Sequence, residues 1–253
     1  MAKRNGYRVV TNRSAFMALR PGAGKVFAYN AVLDGDKALP YELDRDATDL
    51  SLADYTAKAI ELLDNPRGFS IMAEGGKIDW ACHANDATAS IHDTLAFDEA
   101  VREAVQFYNQ HPDETLIVVT GDHECGGMTL GFAETKYESS FAILAKQRRS
   151  VTDFELNQIE SALMRSVGGD KVQANDQETY LLYGGYDPLS VTLSHILNQK
   201  AGIGWTSYSH TAVPVPTFAL GVGAGMFNGC YDNTDIGLKV MEIMNVSEMV
   251  AMN

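Results

Sequence analysis

The sequence predicts an α/β protein: a mostly parallel sheet flanked by helices, with a helix-rich insertion late in the chain. Three observations predict it. Gly68–Ala73 (Gly-Phe-Ser-Ile-Met-Ala) and Thr115–Thr120 (Thr-Leu-Ile-Val-Val-Thr) are apolar runs of strand length. Between them, from about Asn85 to Gln110, Ile91, Leu95, Val101, Val105 and Tyr108 recur at helical spacing. Strand, long helix, strand is the βαβ unit of a sheet built with right-handed crossovers.

The other elements follow in chain order. Tyr7–Thr11 is a short β-rich run, and Lys25–Tyr29 is another after the turn Pro21-Gly22-Ala23-Gly24. Residues 34–50, with Pro40 and Asp34, Asp36, Asp44, Asp46 and Asp49, form a long polar loop. Ser51-Leu-Ala-Asp54 has the form of a capping box, with Asp in the fourth place. Leu52, Tyr55, Ala59, Leu62 and Leu63 then repeat at helical spacing. His111-Pro112 stops the long helix, because proline has no N–H to continue the ladder. The β-branched content of Thr115–Thr120 suits a parallel strand covered on both faces. Residues 132–204 are polar and helix-rich, over 140–149, 152–167 and 189–200, and read as an insertion or cap. Thr217–Val222 is a returning strand and Asp232–Met244 a closing helix. The chain thus divides into a core part at 1–131, the insertion at 132–204, and a returning strand and helix at 205–253.

Composition narrows the function classes. With 253 residues, 45% of them hydrophobic and 21% charged, the chain has an ordinary globular balance. No apolar run approaches the roughly 18 residues that span a bilayer. The basic start Met-Ala-Lys-Arg lacks a following apolar region, so it is not a signal peptide. A net charge of −13 argues against nucleic-acid binding, which relies on a basic surface. That charge also repels an anionic substrate unless bound cations reverse the local sign. Cys82, Cys125 and Cys230 form no CxxC pair.

The chemistry concentrates where strands end. Ligands of open α/β sheets bind beyond the carboxyl ends of the strands. Glu74 falls one residue past its apolar run, and Asp122-His123 two residues past theirs. Asp79 and His83, four apart, share a face if their segment is helical. Asp122 and His123 are adjacent and converge on one ion only from an irregular loop, which Gly121, Gly126 and Gly127 allow. His210 precedes an extended stretch leading back to the sheet edge. Mixed carboxylate and imidazole donors suit zinc in hydrolytic sites, and an isolated carboxylate such as Glu74 suits magnesium. Each piece has a plainer reading: a surface helix pair, a strand-end turn, a Gly-Gly turn. Their arrival at one sheet edge favours the metal. Cys82 and Cys125 adjoin candidate histidines but read as small core residues. His92, His111 and His195 read as surface, packing or helix-end residues.

The stretch Gly68-Phe-Ser-Ile-Met-Ala-Glu-Gly-Gly-Lys-Ile-Asp-Trp-Ala-Cys-His83, then Leu116-Ile-Val-Val-Thr-Gly-Asp-His123, resembles the alkaline phosphatases. Ser-His210-Thr and Gly229-Cys-Tyr-Asp-Asn-Thr-Asp235 are similar to the last third of that family. The resemblance runs from about Asn5 to Met244 and is weakest over 132–204. It implies part of the family's three-layer sandwich. It implies Asp79, His83 and His210 on one zinc, Asp122 and His123 on a second, and Glu74 on magnesium. The implied reaction is hydrolysis of phosphate monoesters through a phosphoserine, with the metals stabilising attacking and leaving oxygens.

The family's nucleophilic serine, its phosphate-gripping arginine and an aspartate shared by two metals have no matching motif here. Neither Ser14 nor Ser90 lies in the expected strand-to-helix turn. The chain therefore reads as the C-terminal part of a phosphatase, with an incomplete second zinc site, an incomplete magnesium site and no meaningful turnover alone. An open sheet edge then favours self-association or a homodimer. The family implies a periplasmic or extracellular parent protein. Two alternatives stand beside this reading: a related metallohydrolase of the sulfatase or phosphoglycerate mutase type, and a non-catalytic metal-binding module.

Overall fold

Local signals set most of the elements in the computed structural model, which describes residues 1–133, 135, 137–152 and 177–245. The helix expected over 152–167 lies, past its first residue, outside them. Strand β1 (Arg8–Val10) pairs in parallel with β2 (Val26–Ala28), Arg8 opposite Val26. Between them runs helix α1 (Arg13–Met17), whose N-cap Asn12 side chain accepts from the Ala15 N–H. Val10, Phe16, Leu19 and Leu50 form a buried cluster against Tyr55 and Leu62 of α2 (Leu52–Leu63). The Ser51 capping box forms: Ser51 accepts from the Asp54 N–H and the Asp54 carboxylate from the Ser51 N–H. Such a cap contributes about 1 kcal/mol.

Helix α3 (Gly76–His83) and helix α4 (Ala87–Gln110) meet at an elbow, and both α2 and α3 pack on α4. The long helix starts two residues later than its periodicity suggests, because Asp86 serves as its N-cap, accepting from the Ala89 N–H. Ala87, Leu144, Ala201 and Ile203 form a second buried cluster. It joins α4 to α5 (Phe141–Leu144) and to α7 (Pro188–Ala201), which follows α6 (Gln177–Tyr183). Of the 140–149 helix expected, only α5 forms.

The α/β character stands, but the pairing differs from the expected parallel sheet. Strand β3 (Leu116–Val119) pairs antiparallel with β8 (Phe218–Gly221), Val119 opposite Phe218. Strand β4 (Glu124–Cys125) pairs antiparallel with β7 (His210–Thr211), and β5 (Thr129–Leu130) with β6 (Ile203–Gly204). Among the described residues β1–β2 is the one parallel ladder. The returning strand lies directly beside β3, and β3 is half-buried along its length instead of covered on both faces. Gly68–Ala73 joins no ladder. It lies largely exposed, Met72 at 92% and Ile71 at 37%, because a strand needs a hydrogen-bonding neighbour as well as apolar side chains. Helix α8 (Asn233–Ile243) closes the described chain.

Candidate metal centre

Helix α3 carries the first two donors. Asp79 and His83, one turn apart, point the same way, with His83 Nε2 3.4 Å from Asp79 Oδ2. His83 Nδ1 lies 2.6 Å from the Tyr208 carbonyl oxygen. A carbonyl only accepts, so this contact assigns the proton to Nδ1 and leaves the Nε2 lone pair for a cation. His210, on β7, completes a triangle: its Nε2 is 3.1 Å from His83 Nε2 and 3.6 Å from Asp79 Oδ1. Asp79 Oδ1 is buried with no hydrogen-bond partner. Two converging imidazole nitrogens and an unsatisfied carboxylate oxygen are the donor set a divalent cation satisfies.

Cys125 joins this group. It stands directly opposite His210 in the β4–β7 ladder, and opposed residues share a face. One donor atom from each of Asp79, His83, Cys125 and His210 lies within 4.8 Å of the others. Cys125 Sγ also lies 3.7 Å from the Asp79 carbonyl oxygen. Burial, then the neighbouring Asp79, pushes the Cys125 thiol up from its ordinary range. Cys82 keeps the packing role expected of it: its Sγ is 3.3 Å from Ser90 Oγ, and burial pushes its thiol up.

The remaining predicted ligands sit around this group. His123 stacks on His210 with ring centroids 3.4 Å apart, and its buried Nδ1 has no partner. Asp122 is 82% exposed at its side chain, with Oδ2 3.1 Å from His123 Nε2. Glu74 is exposed ahead of α3 and lies outside the group. The structure therefore brings together Asp79, His83 and His210, adds Cys125, and sets the Asp122–His123 pair against His210.

Several residues that sequence reasoning passed over hold the donors in place. Lys77 lies between the Tyr41 and Trp80 rings, 4.4 and 3.8 Å from their centroids, and forms a salt bridge to Asp34. This clamps the first turn of α3 to the polar loop. Asn85, with a left-handed φ of 51°, makes the elbow between α3 and α4. Its Nδ2 donates to the Cys82 and Ser207 carbonyls, each at 2.9 Å. Its own carbonyl accepts from Ser194 Oγ and Asn198 Nδ2 of α7. Beside it the buried Asp86 carboxylate accepts from the Ala89 and Val151 N–H groups and from Gln147 Nε2. Burial pushes that carboxyl up, and those hydrogen bonds oppose the rise.

Gly126, at φ 82°, seats the other side. A Cβ there would lie 2.6 Å from the Trp205 ring, so no other residue fits this approach. Its carbonyl accepts from the Thr206 and Ser207 N–H groups, which brings the Tyr208 carbonyl to His83. Two readable signals marked these supports: Asn-Asp before an apolar run is an N-cap pattern, and Gly-Gly after a strand marks close backbone approach.

By fold and site the chain is an α/β protein in which carboxylate, imidazole and thiol donors lie within 4.8 Å of one another, a group that could hold a metal ion. The family is shown by comparison: the model described as "Alkaline phosphatase" matches residues 1–246, and the chain belongs to the alkaline phosphatase family. "Alkaline phosphatase 4" of Bacillus subtilis (strain 168) is 30% identical over 225 residues, covering 85% of this chain and 48% of the relative. "Repressible alkaline phosphatase" of Saccharomyces cerevisiae is 27% identical over 275 residues, covering 93% of this chain and 49% of the relative. The crystal structure of a cold-active alkaline phosphatase from a psychrophilic Shewanella superposes with a TM-score of 0.75 at 30% identity. That match covers 96% of this chain and 60% of the Shewanella chain. The chain spans about half the length of the curated relatives it matches.

Proposed function

We propose that this chain carries the metal-binding part of a zinc- and magnesium-dependent phosphomonoester hydrolase. One observation carries the reading: the Nε2 atoms of His83 and His210 converge 3.1 Å apart beside the unsatisfied Asp79 carboxylate. In this reading Asp79, His83 and His210 hold one zinc, Asp122 and His123 contribute to a second, and Glu74 contributes to magnesium. The ions would supply positive charge for the attacking and leaving oxygens of an in-line displacement. The protein's own contribution is orientation: Tyr208 fixes the His83 tautomer, and the Lys77 clamp and Asn85 elbow fix α3. Local cations also make a phosphate monoester compatible with a chain of net charge −13.

The same reading holds that this chain alone gives no meaningful turnover. Ser90 is buried inside α4 against Cys82, and Ser14 is exposed on α1, so neither stands as a nucleophile at the metal group. Incubation with p-nitrophenyl phosphate, zinc and magnesium tests it, with zinc content measured in parallel. Bound zinc that is lost in His83→Ala, without turnover, is expected. Metal-dependent turnover abolished by His123→Ala would overturn the inactivity, and p-nitrophenyl sulfate in the same assay separates the sulfatase-type reading.

The exposed Ile71 and Met72 favour self-association through the unpaired Gly68–Ala73 segment. Sedimentation over a concentration series checks this, a monomer throughout counting against it. We place the parent protein in the periplasm or outside the cell; among the described residues no helix is long and apolar enough to cross a membrane. The second reading, a non-catalytic metal-binding module, is favoured by one observation: Cys125 raises the converging protein donors to four.

A further inference from the structure

We propose that Cys125 is a fourth donor to the cation held by Asp79, His83 and His210, a soft thiolate that biases the site towards zinc and similar ions. The inference rests on the reading that those three residues hold a cation, and adds Cys125 to that ligand set; a substrate oxygen would then need the five-coordinate form that catalytic zinc can adopt. Tetrahedral zinc, with N and O near 2.0–2.1 Å and S near 2.3 Å, sets its donor atoms roughly 3.5 Å apart. His83–His210, His83–Asp79 and His210–Asp79 already stand at 3.1, 3.4 and 3.6 Å. With every donor pair inside 4.8 Å, the Cys125 sulfur needs to close by only about 1 Å, the scale of a small side-chain adjustment.

The backbone directs that movement. Pairing of Cys125 with His210 puts the two side chains on one face of the β4–β7 ladder, while Glu124 and Thr211 hydrogen-bond on the other. Gly126, next in the chain, ties the ladder end: its N–H donates to the Ser209 carbonyl and its carbonyl accepts from the Thr206 and Ser207 N–H groups. A dication at bonding distance favours the thiolate over the thiol. As the sulfur–metal bond forms, the Sγ–H proton leaves to solvent, and no electron is transferred. Cys82 cannot substitute, because its sulfur faces Ser90. A thiolate donor also discriminates by hardness: zinc, cobalt and cadmium accept it, whereas magnesium does not.

Cobalt(II) titration followed by absorption reads the ligand directly, because thiolate coordination gives a near-ultraviolet charge-transfer band that imidazole and carboxylate do not. The wild-type chain and a C82S/C230S chain, in which Cys125 is the sole thiol, are both expected to show the band at saturation. C125S, with its fold checked by circular dichroism, is expected to lose the band and to bind cadmium at least about tenfold more weakly. Cobalt bound to the sole-thiol chain without the band overturns the proposal while leaving the three-ligand reading intact. A chain that binds no cobalt overturns both.

Discussion

The ligand-bearing side of the molecule and the face around Gly68–Ala73 treat their side chains in opposite ways. At the elbow between α3 and α4 the buried polar groups of Asn85 and Asp86 are matched. Asn85 uses its amide and its carbonyl, and Asp86 gathers two backbone N–H groups and a glutamine amide. In Gly68–Ala73, by contrast, Ile71 and Met72 are exposed, and among the described residues no strand pairs with the segment. The difference teaches where the site draws its order. The candidate donors on α3, β4 and β7 are held by contacts internal to this chain.

Breaking the matched side should cost most. Asp86→Ala removes the α4 cap, strands the buried Val151 N–H and takes an acceptor from the Gln147 amide. We expect a loss of about 3 kcal/mol or more in denaturant unfolding, the sum of a lost cap and an unsatisfied buried N–H. His83→Ala should leave the fold but weaken zinc binding more than about 100-fold by competition with a chelating dye, since a direct ligand matters more than its supports.

A smaller effect separates the two sides by pH. Burial pushes the Asp93 carboxyl, which accepts from the Glu42 N–H, up to about 7. The folded chain then holds a proton that the unfolded chain has released, so this group's stabilisation falls as pH rises from the ordinary carboxylate range through about 7. Asp93→Asn should flatten that slope in urea midpoints measured between about pH 5 and about pH 8. Met72→Lys, on the open face, should change stability by less than about 0.5 kcal/mol. Its expected effect is on sedimentation alone, where self-association should weaken; an unchanged profile would remove that face from any assembly.

Much of this was legible in the residues. The four-residue spacing of Asp79 and His83 put both on one helical face, and α3 forms as that spacing requires. The capping box at Ser51 and the proline stop after Gln110 likewise need only neighbours in sequence. What failed to read was pairing at a distance. Nothing in Gly68–Ala73 states whether a strand lies beside it, and nothing in Thr115–Thr120 states that β8 returns antiparallel. Cys125 reads from its neighbours as a small core residue. Its place beside Asp79, His83 and His210 comes from a two-residue ladder with His210, and register between such remote segments has no local signature.

The His83–His210 contact joins residues 127 positions apart. Closing a loop that long costs conformational entropy before any donor is in place, and each member of the set contributes only once that closure is made. Helices α3 and α4 can form from local contacts in microseconds, but the cation pocket exists only after the β4–β7 ladder has found its register. Metal capture at the proposed site would therefore report on the last stages of folding. In a refolding experiment the cobalt spectrum should develop after the helical signal.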